Sequence, residues 1–304
     1  MSTVAITGST GFIGQSLIPK LLATGHSVKA LVRSSHHTLP AAVQPIIGTL
    51  HDSQSLRALV QDADTVIHLA GATAALSEAE FFATNASGTT QLVDVLESQR
   101  PIARLIHISS LAAREPHLSS YAASKKAAED VVTSSKLSWT IVRPPAVYGP
   151  RDRELKPLWQ ALSKGILPRI GPCDAHFSLL HVEDLADALE TLLRPSNLDY
   201  GLHALFEIDD GYEDLAGYGY RWTTLTDIGS THFNRSIRVL PCPTLLLGAL
   251  GHVSDWLAQW QGVPRVFGRG KVSEMTHVNW VSERSKAINY AVWSPKRRLH
   301  DTLS

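Results

Sequence analysis

Short runs of apolar and β-branched residues punctuate the first half of the chain, at Val4–Thr7, Val28–Val32, Val43–Ile47, Thr65–Leu69, Leu105–Ser109 and Thr140–Arg143. Most are continuous rather than alternating, which is the pattern of strands covered on both faces. Between them the spacing of apolar residues becomes helical over Phe12–Ala23, with Gly25 placed to end that helix, and again over Ser53–Val60, Glu78–Leu96 and Tyr121–Ser134. Short strands alternating with crossover-length helices predict an α/β fold, a doubly wound parallel sheet with helices on both faces.

Beyond Gly149-Pro150 the pattern loosens. It predicts a helix near Leu155–Leu162, a turn at Pro168–Pro172, a strand over Phe177–Val182 and a helix over Glu183–Leu193. Residues 1–150 therefore read as the sheet-forming domain, and residues 151–304 as a mixed region that returns partly to the sheet and builds a small C-terminal lobe. From about Gly211 onward the sequence guides packing weakly. The aromatic segment Tyr212–Trp222 reads as cover for the core rather than as a site. The apolar window Thr244–Leu250 meets His252 and Asp255 far short of the roughly 20 residues needed to span a bilayer, and is expected to be a buried or pocket-lining helix.

Charge removes several functions from consideration. Of 304 residues, 28 are basic and 28 acidic, so no overall positive field favours nucleic acid or an anionic membrane, and a small-molecule substrate is the expectation. Cys173 and Cys242 stand far apart, and no histidine pair has metal-ligand spacing, so neither a disulfide framework nor a metal site is expected. The first strand begins almost at once, with no charged leader or apolar stretch before it, which predicts a cytoplasmic protein.

Thr7-Gly8-Ser9-Thr10-Gly11-Phe12-Ile13-Gly14 links the first predicted strand to the first predicted helix. A glycine at 8 permits a tight turn, one at 11 lets the backbone approach a pyrophosphate, and one at 14 lets helix and strand pack closely. Gly8, Thr10, Gly11, Phe12 and Ile13 would then surround the phosphates at a helix N-terminus. An acid about 20 residues further on would receive the ribose of NAD, whereas a cation there accommodates the 2′-phosphate of NADP. This chain has Arg33 and Ser34 at that point, which favours NADP over NAD.

Ser109-Ser110 ends the fifth strand, and Tyr121 and Lys125 lie one turn apart on the helix that follows. A phenol near pKa 10 is a poor proton carrier at neutral pH, and a neighbouring ammonium lowers that value. Tyr121 can thereby act as general acid or base, with Ser110, or alternatively Ser109, orienting a substrate oxygen. Taken alone a Tyr-x-x-x-Lys spacing is common; it gains weight from the glycine turn upstream.

These residues resemble the extended short-chain dehydrogenase/reductases, the NAD-dependent epimerase/dehydratase family. The resemblance extends to His68-Leu69-Ala70-Gly71, Asn85-Ala86-Ser87-Gly88-Thr89, Arg143-Pro144-Pro145-Ala146-Val147-Tyr148-Gly149-Pro150, His181-Val182-Glu183-Asp184 and Trp293-Ser294-Pro295-Lys296. It implies a Rossmann-type domain, hydride exchange at the nicotinamide, Tyr121 as acid/base and Lys125 tuning it and holding the ribose. Leu69, Ala70, Gly71, Pro144 and Val147 join the cofactor-side residues on the same ground. Pairing of two chains through long helices is a further family expectation.

Three departures narrow the reading. Leu111-Ala112 replaces the Asp-Glu pair of similar sugar dehydratases; Ala146 stands where sugar-nucleotide epimerases usually carry asparagine; and Thr49 stands where an aspartate usually meets the adenine. The leading expectation is an NADP(H)-dependent carbonyl reductase or alcohol dehydrogenase. The alternatives are an NAD(P)-dependent sugar or sugar-nucleotide epimerase, and a non-catalytic NADP-sensing or assembly protein. His36 and His37 are placed near the adenosine phosphate by their position after Arg33.

Overall fold

The computed structural model describes residues 2–36, 39–197, 199–215, 217–289 and 291–302. His37 lies outside the described residues. Its first half alternates strand and helix as expected: β1 (Thr3–Thr7), α1 (Phe12–Ala23), β2 (Ser27–Val32), β3 (Val43–Ile47), α2 (Ser53–Val60), β4 (Thr65–His68), α3 (Glu78–Phe82), α4 (Gly88–Ser98), β5 (Arg104–Ile108), α5 (Ser120–Ser134) and β6 (Trp139–Arg143). The helix expected over Glu78–Leu96 is interrupted, because Ala83–Ser87 forms a π-helical turn between α3 and α4. Such a turn re-aims side chains and is frequent at functional sites. Here it turns Asn85 inward, to a position 2% exposed.

Next come β7 (Ala146–Tyr148), α6 (Lys156–Ser163), β8 (Ile166–Ile170), β9 (His176–Phe177), β10 (Leu179–His181), α7 (Val182–Thr191) and β11 (Ala204–Glu207). Two expectations change. Pro168 sits inside strand β8 rather than opening a turn, which a proline tolerates on a short two-stranded edge; β8 pairs only with a later strand. The strand expected over Phe177–Val182 breaks at Ser178, whose hydroxyl donates to Asp209 at 2.6 Å.

The central sheet has seven strands in the order β11-β6-β5-β4-β1-β2-β3, all parallel. This is the Rossmann-type doubly wound arrangement, with its topological switch between β1 and β4. Strands β4 and β5 are buried throughout, whereas β3, at the edge, exposes Ile47 and contains Pro45. One apolar core lies under α1 and α7, built from residues such as Ile6, Leu17, Ile106, Leu185 and Leu189. The other lies under α2, α4 and α5, around Leu56, Leu59, Leu92 and Leu105.

The remaining elements are β12 (Glu213–Asp214), β13 (Gly217–Tyr218), β14 (Tyr220–Arg221), α8 (Trp222–His232), β15 (Arg238–Cys242), α9 (Thr244–Gln261), α10 (Arg269–Thr276), β16 (Asn279–Trp280) and α11 (Leu299–Thr302). The aromatic segment does cover a core: Tyr220 is fully buried and stacks on Tyr212 at 4.3 Å. The window Thr244–Leu250 is not a buried helix. It forms the first turns of α9, and Leu245, Leu246 and Leu250 are all exposed, because the helix packs inward through Leu247, Gly251 and Ala258 instead.

The C-terminal segment is fastened by Asp184, a fully buried carboxylate at the start of α7. It accepts hydrogen bonds from the backbone N–H of Lys296 at 2.9 Å and of Arg297 at 2.8 Å, and pairs with the Arg297 guanidinium at 2.6 Å. The two sequence segments that contain Asp184 and Lys296 thus meet in space.

Candidate active site

The turn between β1 and α1 explains its glycines individually. Gly8 has φ +71°, and a Cβ there would lie 2.6 Å from the Ala70 nitrogen; at Gly14 a Cβ would lie 2.5 Å from the Ser9 carbonyl oxygen. A Cβ on Gly11 would meet only the Gly8 carbonyl oxygen, at 3.2 Å, so its outer side is open. No side chain caps α1, and its first turn carries no acid. The N–H groups of Phe12 and Ile13, with Thr10 exposed beside them, therefore face outward at the positive end of a helix, which is the donor set a pyrophosphate requires.

The turn is held to its neighbours by polar contacts. The Ser9 hydroxyl donates to the Leu31 carbonyl oxygen at 3.0 Å, the Leu69 N–H to the Thr7 carbonyl oxygen at 3.1 Å, and the Ala70 N–H to Thr7 Oγ1 at 3.2 Å. Beneath it His68 bridges Thr7 Oγ1, at 2.6 Å, and Thr89 Oγ1, at 3.0 Å. Burial, with the Lys125 charge adding to it, lowers His68 to about 3, so the ring is a neutral structural bridge. Arg33 and Ser34 stand exposed where β2 ends, on the same edge of the sheet, and among the described residues Arg33 makes no ion pair. The cradle fits a dinucleotide.

Ser110, Tyr121 and Lys125 converge beyond the end of β5. Ser110 caps a short 3₁₀ turn, Leu111–Arg114, by accepting the Ala112 N–H at 3.1 Å, and also hydrogen-bonds the Tyr121 phenol. Ser109, the alternative, is buried and its hydroxyl has no hydrogen-bond partner among the described residues. Tyr121 and Lys125 lie on α5, which is capped by Ser119 accepting the Ala122 N–H at 2.9 Å. Tyr121 is half-buried, its ring edge toward Phe81 at 6.1 Å. Lys125 is buried and donates to the Ile108 carbonyl oxygen at 2.8 Å, with Gly71 beside its Nζ.

The electrostatics differ from the expectation of a lowered phenol pKa. Burial pushes Tyr121 above the ordinary tyrosine value; the Ser110 hydrogen bond pulls it back, and the Glu274 and Glu154 charges raise it further. Burial also lowers Lys125 to about 8, with Glu129 opposing. Desolvation is the largest cause at both groups, and the lysine proton is directed at the Ile108 carbonyl oxygen.

Asn85 is the residue whose role spacing alone does not show. Its Oδ1 accepts the Ala72 N–H at 2.7 Å, while its Nδ2 donates to the Ala72 carbonyl oxygen at 3.1 Å and to Ser124 Oγ at 2.9 Å. It thereby ties the loop after β4, including Gly71, to the helix that carries Tyr121 and Lys125. The signal was present in the segment Asn85–Thr89, but the π-helical turn that aims Asn85 was not.

Pro144 and Val147 divide. The Pro144 carbonyl oxygen accepts the Leu111 N–H at 3.0 Å, next to Ser110, whereas Val147 is half-buried against the core under α1. Arg143 is turned away into a buried network, making two bonds to Glu129 at 2.8 and 2.6 Å and one to Glu207 at 3.1 Å. A cavity of about 680 Å³, lined by Arg114, His176, Tyr218, Asn279 and Glu283 among others, opens in the second half of the chain. Among the described residues no acid, histidine and cysteine cluster could hold a metal ion, and no helix is long and apolar enough to cross a membrane.

Comparison with known proteins agrees with this architecture. Residues 4–201 match the model of the NAD dependent epimerase/dehydratase family. A ceramide reductase from Caulobacter vibrioides is 36% identical over 285 residues, covering 91% of this chain and 85% of the relative. Among solved structures, MoeE5 in complex with UDP-glucuronic acid and NAD superposes with a TM-score of 0.70 at 20% identity, covering 100% of this chain and 96% of the other. Human epimerase family protein SDR39U1 with NADPH gives 0.69 at 17% identity, covering 95% and 93%. The glycine cradle, the seven-stranded parallel sheet and the matched sequence lead to one assignment: the chain belongs to the NAD dependent epimerase/dehydratase family and is an enzyme of the extended short-chain dehydrogenase/reductase type.

Proposed function

We propose that this enzyme is an NADP(H)-dependent carbonyl reductase, in which residues 1–150 hold the cofactor and residues 151–304 form most of the substrate lobe. The observation that carries the reading is the convergence of Ser110, Tyr121 and Lys125 beyond β5, on the same sheet edge as the open glycine turn. A reduced nicotinamide, when bound, supplies a hydride. Gly8, Thr10, Gly11, Phe12 and Ile13 hold the pyrophosphate, Arg33 and Ser34 the 2′-phosphate, and Leu69, Ala70, Gly71 and Pro144 the rest of that edge.

Tyr121 is a neutral phenol at pH 7, as an ordinary tyrosine is, and burial raises its pKa further, so it enters the reaction as a proton donor. The Ser110 hydroxyl orients the carbonyl oxygen, Tyr121 gives that oxygen its proton as hydride reaches the carbon, and water later restores the phenol. Lys125, an ammonium below about pH 8, stabilises the phenolate left behind. The proton and hydride together convert the ketone to an alcohol.

The Caulobacter relative is named for reduction of a ceramide, so long-chain carbonyl amphiphiles head the substrate screen, ahead of simple ketones and sugar nucleotides. The test is a fluorescence titration with NADPH and NADH on the wild type and on Arg33→Asp, followed by carbonyl-dependent oxidation of the bound cofactor. Tight NADPH binding that Arg33→Asp weakens by at least about tenfold, with NADH unaffected, supports the reading. Equal binding of both cofactors in both proteins refutes the role of Arg33, and UDP-sugar conversion without net NADPH consumption refutes the reductase.

A further inference from the structure

Helix α9 is built the wrong way round for a helix of a water-soluble lobe. At about 100° per residue, Leu245, Leu246, Leu250, Val253, Trp256 and Trp260 fall within one arc of about 140° that contains no polar residue. That arc faces outward, with Leu245 89%, Trp256 64% and Trp260 73% exposed. The inward side holds Leu247 and Ala258, and otherwise small and polar groups. Gly251 packs against the Arg269 backbone, Ser254 Oγ donates to the Phe267 carbonyl oxygen at 2.6 Å, and Asp255 accepts the Arg269 N–H at 3.1 Å.

The six side chains present on the order of 800 Å² of apolar surface, above the 300–600 Å² of the largest patch on an ordinary monomer. Trp256 and Trp260 stack with centroids 6.3 Å apart, and a groove of about 520 Å³ runs beside them between Leu250, Val253, Leu257 and the Val266-Phe267 segment.

Charge decides between occupants. From Arg235 to Lys271 the chain carries five cations (Arg235, Arg238, Arg265, Arg269 and Lys271) and a single acid, Asp255, although the whole chain is neutral; Lys271 pairs with Glu274 and Glu154, so the local excess comes from Arg235, Arg238 and Arg265. Asp255 is already paired with Arg269 at 3.3 Å, while Arg265 stands exposed at the rim of the groove. A second copy docking by two-fold symmetry would bring this same positive surface onto itself. An anionic lipid surface offers the opposite charge, an apolar layer for the leucines and an interface that tryptophan rings prefer.

We propose that α9 and the following Val263–Phe267 segment dock this enzyme peripherally on anionic lipid bilayers, with the apolar arc seated among the headgroups and acyl chains and the cations beside the phosphates. The helix lies on the surface; it does not span it. Helix α10, packed against α9, reaches α5 through Ser119, whose hydroxyl donates to Glu274 at 2.5 Å. The docking face is therefore one short helix away from the helix carrying Tyr121. The even charge of the whole sequence concealed this surface, because acids elsewhere cancel the local excess.

The test is co-sedimentation of the full chain with vesicles of phosphatidylcholine alone or mixed with phosphatidylglycerol, for the wild type and for Leu246→Glu/Trp256→Glu/Trp260→Glu. All three positions are exposed, and far-ultraviolet circular dichroism checks that the variant is folded. A second variant, Arg235→Ser/Arg238→Ser/Arg265→Ser, removes charge without touching the apolar arc. Binding to the mixed vesicles at least about tenfold stronger than to phosphatidylcholine, lost in the first variant and weakened in the second and by salt, supports the proposal. A wild type that stays in the supernatant with both vesicles overturns it, as does binding that neither variant changes. A concentration-dependent dimer that the glutamate variant splits, without vesicle binding, assigns the face to a second copy and overturns it as well.

Discussion

Lys125 offers a thermodynamic test of the site that needs neither cofactor nor substrate. Its ammonium is buried and its pKa falls to about 8 in the folded protein, from 10.5 for an unperturbed lysine. The unfolded chain therefore keeps a proton that the folded chain has released between pH 8 and 10.5, and stability rises with pH across that window. Linkage with these two values gives a penalty on the fold of about 3 kcal/mol at pH 7 that shrinks to about 1 kcal/mol at pH 10. Substituting Lys125→Met removes this titration. The stability of the wild type relative to the variant should therefore rise by about 2.5 kcal/mol from pH 7 to pH 10. Urea unfolding of both proteins at several pH values measures it, and taking the difference cancels the groups on which the Lys125 charge does not act. A constant offset is expected as well, since the Ile108 carbonyl oxygen loses its donor in the variant. A difference that stays flat with pH, or falls, would refute the argument that burial depresses this lysine.

The remaining predictions address proton transfer, the cradle and the C-terminal segment. Tyr121→Phe should lower turnover by about 10²–10⁴-fold while NADPH binding, read by fluorescence, stays within a few-fold of the wild type; full turnover would remove Tyr121 from the reaction. Gly8→Ala places a Cβ 2.6 Å from the Ala70 nitrogen at a φ of +71°, and should cost about 1–3 kcal/mol of stability together with most of the NADPH affinity; thermal unfolding with and without cofactor separates the two effects. Asp184→Ala removes the acceptor of two backbone N–H groups and of Arg297, so about 3–5 kcal/mol should be lost and limited proteolysis should cut near Lys296 first; an unchanged urea midpoint would contradict the anchoring role.

The first half of the chain was legible because its information is local. A continuous apolar run, a glycine turn and a helix follow one another within a few residues at Val4–Ala23, and a parallel strand buried on both faces leaves no ambiguity of period. That Tyr121 and Lys125 lie together was legible for the same reason, since one turn of helix separates them. What failed depended on partners distant in sequence. The π-helical turn over Ala83–Ser87 is set by Asn85 reaching Ser124, 39 residues away, and periodicity cannot contain that. Strand β8 accommodates Pro168 only because it pairs with β15, so its proline was misread as a turn. The apolar start of α9 was expected to be buried or pocket-lining; Leu250 does line a groove, whereas Leu245 and Leu246 are exposed, because hydrophobicity says that a face wants to leave water and not what covers it.

The tuning of Tyr121 shows the same division. The spacing of Tyr121 and Lys125 identifies a possible acid, but its protonation state depends on desolvation and on Glu274 and Glu154, contributed by the second half of the chain. Ser110 is positioned in a comparable way. The 3₁₀ turn it caps ends at Arg114, whose guanidinium donates to the Val281 and Asn279 carbonyl oxygens at 2.9 and 2.8 Å and contacts Glu207 at 3.4 Å. Glu207 is fully buried at the end of β11, where it also receives Arg143 and the Glu283 N–H. A single carboxylate thus joins the sheet, the serine-bearing turn and the C-terminal region. Ser110 is thereby linked, through the turn it caps and Arg114, to the lobe beside it. The family is therefore legible in the motifs of the first half, while the surroundings of Ser110 and Tyr121 depend on how the second half closes against them.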